Sequence, residues 1–449
     1  MPTTLPASAV QAVTSQLHEA ELAFARRYPG ASGERQPVHS FYGGAHLFRA
    51  EAAPKLGAVA LRTLGEQAPD PGRLVEIFGV PPEHAATVHQ RIADKLRREP
   101  IEDYRIDFED GYGNRSDEEE DGHAVSTAGE VALALERGTL PPFFGLRIKA
   151  LTEETRDRAI RTLDLFLTTL AERTGGRVPQ GFLVTLPKVV LPDQVRALAG
   201  LCAELERGLF LSGRTLRLEI MVETPQAVLD PDGRIPLPRL VAAGEGRCVA
   251  AHLGAYDYTA ACDVTAGHQS LTHPACDFAR DAMQTSLAGT GIWLADGATT
   301  TLPIAPHRST PEGPPLTADQ ERENREVIQR AWKLHYDHVR RALGRGFYQS
   351  WDLHPAQLVS RYAAVYSFFL EEVEMATGRL RNFLEKAARA TRVGEVFDDA
   401  ATGQGLLNSF RRAVNCGALP EAEALERTGL TLDELRGRSF LQILKNRRT

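Results

Sequence analysis

Apolar residues along this chain recur as short, nearly continuous runs separated by longer stretches with helical spacing. The two clearest runs are Leu216–Val222 and Cys248–Leu253, the first closed by Pro225 and the second by Gly254. Runs rich in Val, Ile and Leu and closed in this way predict strands buried on both faces, the kind found in parallel sheets covered by helices. Six more candidates flank this pair: Val38–Tyr42, Tyr104–Phe108, Phe143–Ile148, Gly181–Leu186, Ile292–Leu294 and Tyr348–Leu353. The run at Ile292 is the shortest and lies beside Gly289 and Gly291. Eight strands alternating with helices predict an α/β fold of the closed (β/α)8 barrel type rather than an open sheet.

The pattern extends beyond a minimal barrel at both ends. Val10, Val13, Leu17, Leu22 and Phe24 predict a helix over residues 6–28, stopped by Pro29-Gly30. The expected organisation is a helical extension over 1–36, the barrel over 37–372 and a helical region over 373–449. Residues 45–100 read as helical, with breaks at Pro69-Asp70-Pro71 and Pro81-Pro82. The acidic run Ser116 to Asp121 reads as a helix start, with Ser116 as N-cap and Glu119 completing a capping box, rather than as a metal site. Residues 299–316 form a long Thr- and Pro-rich loop ending at Thr317, an N-cap with Gln320 as partner. Following a strand, such a loop belongs on the active-site face, where a lid would sit.

Composition narrows the partners. Of 449 residues, 43% are hydrophobic and 25% charged, and the net charge of −7 gives no reason to expect nucleic acid or an anionic membrane. The five cysteines form no CxxC pair, which points away from zinc and disulfide frameworks and toward a reducing cytoplasm. Neither a signal-peptide layout nor an apolar run of membrane-spanning length is present in the sequence. A cytoplasmic protein acting on small molecules is expected.

Barrel strands pool their C-terminal ends into one site. That pool is Glu109, Asp110, Arg147, Lys188, Glu223, Asp257 and His354. Taken singly, a strand-end acid is more often a helix cap or half of an ion pair. Together, Glu223 and Asp257 are two hard oxygen donors at neighbouring strand ends, enough for Mg²⁺, which completes its shell with water and substrate. Arg147 would clamp a carboxylate through its bidentate fork. Glu109 and Asp110 would hold metal-bound water or act as a base, and Lys188 either joins them or simply pairs with barrel acids. Such a set suits metal-assisted enolate chemistry on a 2-oxo acid. His354, before Pro355, reads as structural and His252 as a core residue. His268 and His273 have no third ligand at metal spacing, and Tyr256 and Tyr258 read as packing residues beside Asp257.

The order of these motifs resembles the HpcH/HpaI aldolase and citrate lyase β-subunit family of the phosphoenolpyruvate/pyruvate barrels. Ile106-Asp107-Phe108-Glu109-Asp110 resembles its Asp-Leu-Glu-Asp, Leu146-Arg147-Ile148-Lys149 its Val-Arg-Val-Asn, and Leu186-Pro187-Lys188-Val189 its Leu-Pro-Lys-Val. Val222-Glu223-Thr224-Pro225 and Gly254-Ala255-Tyr256-Asp257 are similar to the two metal-ligand segments, and His354-Pro355-Ala356-Gln357 to a His-Pro-x-Gln motif. The resemblance implies Glu223 and Asp257 as Mg²⁺ ligands, with Mn²⁺ as a substitute, and Arg147 as the substrate arginine. In the tail, Val396-Phe397-Asp398 resembles the Met-Ile-Asp of acyl-CoA lyases, whereas Asp398-Asp399-Ala400-Ala401-Thr402 resembles the Glu-Asp-Ala-Ala-Thr of malate synthases. The first alignment makes Asp398 a catalytic acid and the second makes it Asp399, the preferred choice.

The helix after Glu109-Asp110 lacks the Lys and the Ala-Arg pair usual in the lyases, so coenzyme A contacts are not carried over. The expectation is a Mg²⁺-dependent carbon–carbon lyase or aldolase acting on a 2-oxo acid or a coenzyme A thioester, working as a homo-oligomer. A malate-synthase-like condensing enzyme and a non-catalytic barrel subunit are the alternatives.

Overall fold

The computed structural model describes residues 4–30, 34–309, 314–385, 391–393, 396–398, 400–437 and 439–448. Eight parallel strands close into a barrel: β1 (His39–Gly44), β2 (Asp103–Asp107), β3 (Phe143–Arg147), β4 (Leu183–Leu186), β5 (Arg217–Val222), β6 (Cys248–Leu253), β7 (Trp293–Ala298) and β8 (Gln349–Asp352). Closure is direct, since β1 pairs with β2 through Phe41 and Tyr104 and with β8 through Ser40 and Trp351. All eight expected strands form. β7 runs four residues past the expected end at Leu294, because the polar Asp296 and the following Gly297 interrupt its apolar pattern without ending the strand.

Alternation along the strands decides what fills the barrel. In β2, Tyr104 and Ile106 join the hydrophobic layer under the helices, while Asp103, Arg105 and Asp107 point inward. Contacts across the barrel identify the inner face: the Tyr42 hydroxyl of β1 reaches Glu219 of β5 at 3.4 Å, and the Trp351 indole of β8 donates to His252 of β6 at 2.7 Å. The lower interior is therefore a buried polar network, in which Arg105 pairs with Asp103 and lies 3.6 Å from Glu219. Glu219, Met221 and Glu223 climb the inner face of β5 and its end, so the strand carries polar groups from the interior to the mouth.

The helices differ from expectation in detail. The N-terminal helix Ala7–Arg27 forms, but Val10, Val13, Leu17, Leu22 and Phe24 are all exposed, so its apolar stripe is not covered within one chain. Ser116 caps its helix by accepting from the Glu119 N–H at 3.2 Å, yet the Glu119 carboxylate does not complete the box, because Arg115 captures it. Thr317 and Gln320 do form the reciprocal box expected after the long loop. The helix Gln357–Glu385 carries the chain through residue 372 without a break. The tail is not purely helical: Thr391–Val393 and Val396–Asp398 form a short antiparallel pair before the helix Ala400–Asn415. Among the described residues, no helix is long and apolar enough to cross a membrane.

On the outer side of β8, Asp352 is buried against the Arg361 guanidinium, with His335 at 3.0 Å and His39 at 3.5 Å. Against the effect of burial, Arg361 and His335 hold its carboxyl far below the usual range. Breaking a buried pair from one side costs about 3–5 kcal/mol because the other charge is stranded. Arg361→Met is expected to lose about 3 kcal/mol in urea unfolding, at the low end of that range because His335 is left to share the charge. A loss below about 1 kcal/mol would show that this pair does not anchor β8.

Candidate active site

Glu109, Asp110, Arg147, Lys188, Glu223 and Asp257 meet at the C-terminal ends of the strands. Asp107 ends β2 and Arg147 ends β3. Arg147 donates from Nε and Nη2 to the two oxygens of Asp107, at 2.7 and 2.6 Å. Its guanidinium lies 5.2 Å from the Tyr42 ring and 5.6 Å from the Trp351 ring. This bidentate pair over two aromatic rings fixes the arginine in one orientation. Its remaining terminal nitrogen, Nη1, lies 3.0 Å from Glu109 and 3.6 Å from Asp110. Asp107 also accepts from the backbone N–H groups of Glu109 at 3.0 Å and Gly111 at 2.8 Å, so one buried carboxylate shapes the β2 loop and sets the arginine.

Lys188 follows β4 in the left-handed region, with φ 51°. A non-glycine residue there costs roughly 1 kcal/mol. The bend aims the Lys188 backbone N–H at Glu223 Oε1, 2.6 Å away. The Lys188 ammonium meanwhile contacts Glu109 and lies 3.1 Å from Asp110 and 3.7 Å from Asp257. Although burial works against it, these three acids raise its pKa. The ion pairs with these acids hold the ammonium charged.

Glu223 directly follows β5 and is buried. Oε1 is bonded to Lys188, but Oε2 is sealed from solvent without a hydrogen-bond partner. Burial, with the nearby charge of Asp257, pushes its carboxyl up to about 8. The backbone of Gly254 lies against the same carboxylate, where any side chain would collide with Oε2. Asp257, in the first turn of Ala255–Ala261, is partly exposed at the mouth. Burial likewise raises Glu109, while Asp110 is lowered against burial by its hydrogen bond with Glu109 and by Arg147 and Lys188.

The donor set suits a hard divalent cation. Glu223 Oε2 is a buried oxygen awaiting a partner, and Asp257 is a second carboxylate beside it. Five acids (Asp107, Glu109, Asp110, Glu223, Asp257) gather around Arg147 and Lys188 at the mouth. Among the described residues no cluster of three or more His, Cys, Asp or Glu is placed to hold a metal ion, so a cation held by Glu223 and Asp257 would need water or substrate for its other ligands.

The remaining candidates sort by geometry. His354 accepts from the Ala356 N–H at 3.2 Å, and Gln357 ties the end of β8 to Thr299 at 2.9 Å. His252 lies in the barrel core under Trp351, and His273 caps the helix Pro274–Leu287. Tyr256 takes a hydrogen bond from Thr300 at 3.0 Å, which ties the start of the long loop to the element carrying Asp257. Asp398 ends its short strand opposite Thr391. Asp399 lies outside the described residues. Asp107, Tyr42 and Trp351 join the site without having been among its expected residues. Asp107 shares inward parity with Arg105 in β2, and that alternation was the available signal.

A carboxyl raised in the folded state favours folding below its unfolded pKa, and the advantage fades as pH rises through the folded value. In metal-free protein, Glu223 should therefore make stability fall between about pH 4.5 and pH 8. Urea unfolding in EDTA across that range checks this. Glu223→Gln should flatten the slope, and an unchanged slope would place the proton elsewhere.

Several solved structures share the architecture. A citrate lyase from Burkholderia xenovorans LB400 aligns at TM-score 0.57 and 17% identity, covering 89% of this chain and 97% of that one. Haloferax volcanii malate synthase with pyruvate and acetyl-CoA aligns at TM-score 0.45 and 16% identity, covering 90% and 98%. At 17% identity the likeness to the citrate lyase is one of fold. No curated protein matches the sequence. A family model described as a domain of unknown function, DUF6986, matches residues 17–443, and the chain belongs to that family.

Proposed function

We propose that this protein is a Mg²⁺-dependent carbon–carbon lyase or aldolase that works through the enolate of a 2-oxo acid or an acyl-CoA-derived acid. The observation that carries this reading is the buried, half-partnered carboxylate of Glu223 beside Asp257. When bound there, Mg²⁺ supplies Lewis-acid stabilisation of negative charge on the substrate's carbonyl oxygen. The other roles belong to the protein. Arg147, locked by Asp107, presents Nη1 to a substrate carboxylate or enolate oxygen. Lys188 adds a fixed positive charge without entering into covalent chemistry. Glu109, with its pKa raised by burial, accepts and returns a proton at the mouth.

In the cleavage direction, a base takes the proton from the hydroxyl on the carbon beyond the breaking bond, leaving a carbonyl there. The electrons of that bond move onto the 2-oxo fragment as its enolate, and a proton then completes the product. The resemblance of Asp398-Asp399-Ala400-Ala401-Thr402 to malate synthases supports a second reading, a Claisen condensation in which the enolate comes from an acyl-CoA thioester and attacks the carbonyl of a 2-oxo acid. In that reading the tail acid removes the proton that generates the enolate.

Enolate formation is visible without knowing the natural partner. Methyl-proton exchange of pyruvate in deuterated water, followed by NMR, is expected with Mg²⁺ and not with EDTA. Arg147→Lys should slow it by roughly 100-fold, the scale of losing one oriented charge donor. If no 2-oxo acid or acyl-CoA thioester exchanges with any divalent metal, the enolate mechanism is overturned and the reading as a barrel subunit of an assembly gains. Comparing Asp398→Asn with Asp399→Asn shows which tail acid, if either, moves the proton.

A further inference from the structure

A cavity of about 280 Å³ opens at the end of the barrel opposite Glu223 and Asp257. Its floor is made where β1, β7 and β8 begin, and the tail helix Ala400–Asn415 covers it. That helix buries Leu407, Phe410 and Ala413 in the hydrophobic core. Toward the cavity it turns Asn408, Arg411, Arg412 and Asn415, spaced i, i+3, i+4 and i+7 on one face.

Arg412 is the informative member. Its guanidinium stacks on the Tyr348 ring, 3.4 Å from the centroid, and one terminal nitrogen lies 3.4 Å from Gln36 Oε1. Gln36 is itself anchored to β7 and β8 through Leu294 and Gln349, each at 3.2 Å. Stacking uses the face of the guanidinium and leaves its N–H edge for an acceptor in the plane. Among the described residues Arg412 has no carboxylate partner. Burial, with Arg411 next to it, lowers its pKa, the sign of a cation lacking an anion. The acid lining the cavity, Glu34, is exposed and lies 4.0 Å from Arg217. A largely buried cation without an anion is costly, and its position near a helix C-terminus offsets only part of that cost.

We infer that this cavity is a second binding site, which takes a small molecule carrying an oxyanion (a carboxylate or a phosphate) on the N–H edge of Arg412, with Arg411 beside it. The volume admits a compact organic acid, and the apolar rings of Tyr348 and Phe369 suit a ligand with a short carbon body. The site lies outside the proposed catalytic mouth and does not depend on that chemistry.

Thermal unfolding of the full chain in EDTA, at fixed ionic strength, with succinate or inorganic phosphate as the probe, tests this. A saturable rise in Tm with either probe is expected, and the probe that works tells a carboxylate site from a phosphate site. Arg412→Gln should weaken the response at least tenfold. Asn408→Asp, which sets a carboxylate one turn before Arg412, should fold normally and abolish it. Arg147→Lys at the mouth should leave it intact. No saturable response to either probe, or one that survives both Arg412→Gln and Asn408→Asp, would overturn the assignment. If Arg412→Gln does not fold, Asn408→Asp decides.

Discussion

A buried carboxylate with one oxygen satisfied and the other not is an unstable arrangement unless it keeps a proton or meets a cation. Glu223 is held in that state on three sides. β5 delivers it to the mouth, the left-handed turn at Lys188 supplies a single backbone donor to Oε1, and the bare backbone of Gly254 closes over the carboxylate. Each device is local, and together they maintain a carboxyl whose pKa is high and whose Oε2 has no hydrogen-bond partner. The rest of the mouth is compatible with this tension. Asp257 adds a second oxygen donor, and Lys188 is kept charged by three acids rather than freed as a nucleophile.

The same economy of charge runs through the barrel. Inward positions carry Asp103, Arg105, Glu219 and His252 in a mutually paired network, so the interior is polar from its floor to its mouth. Arg147 ends that column. With two nitrogens committed to Asp107 and its face near Tyr42 and Trp351, it keeps one terminal nitrogen at the acids of the mouth. A lysine at this position would keep the charge and lose the orientation.

Much of this was legible in the sequence because barrel strands are buried on both faces and so appear as apolar runs closed by Gly or Pro. Even β7 was found, though its length was not, since Asp296 reads as a strand breaker until its pairing with Arg280 at 2.9 Å is known. The pooling of Glu109, Asp110, Arg147, Lys188, Glu223 and Asp257 followed from topology alone. Partnership did not. That Asp107 grips Arg147, that Arg115 takes Glu119 from its capping box, and that the stripe from Val10 to Phe24 stays uncovered are facts of three-dimensional competition. The Arg412 cavity was hidden for the same reason: a polar face on a tail helix looks like solvent exposure until the barrel floor is placed beneath it.

The proposed mechanism makes Glu223 and Asp257 the two protein ligands of one divalent cation. Crystals grown with Mn²⁺ in place of Mg²⁺ test it through anomalous scattering at the manganese edge. One strong peak is expected roughly 2 Å from a carboxylate oxygen of each residue, with water filling the remaining positions. A peak bound to neither, or none at the mouth at saturating Mn²⁺, would contradict it.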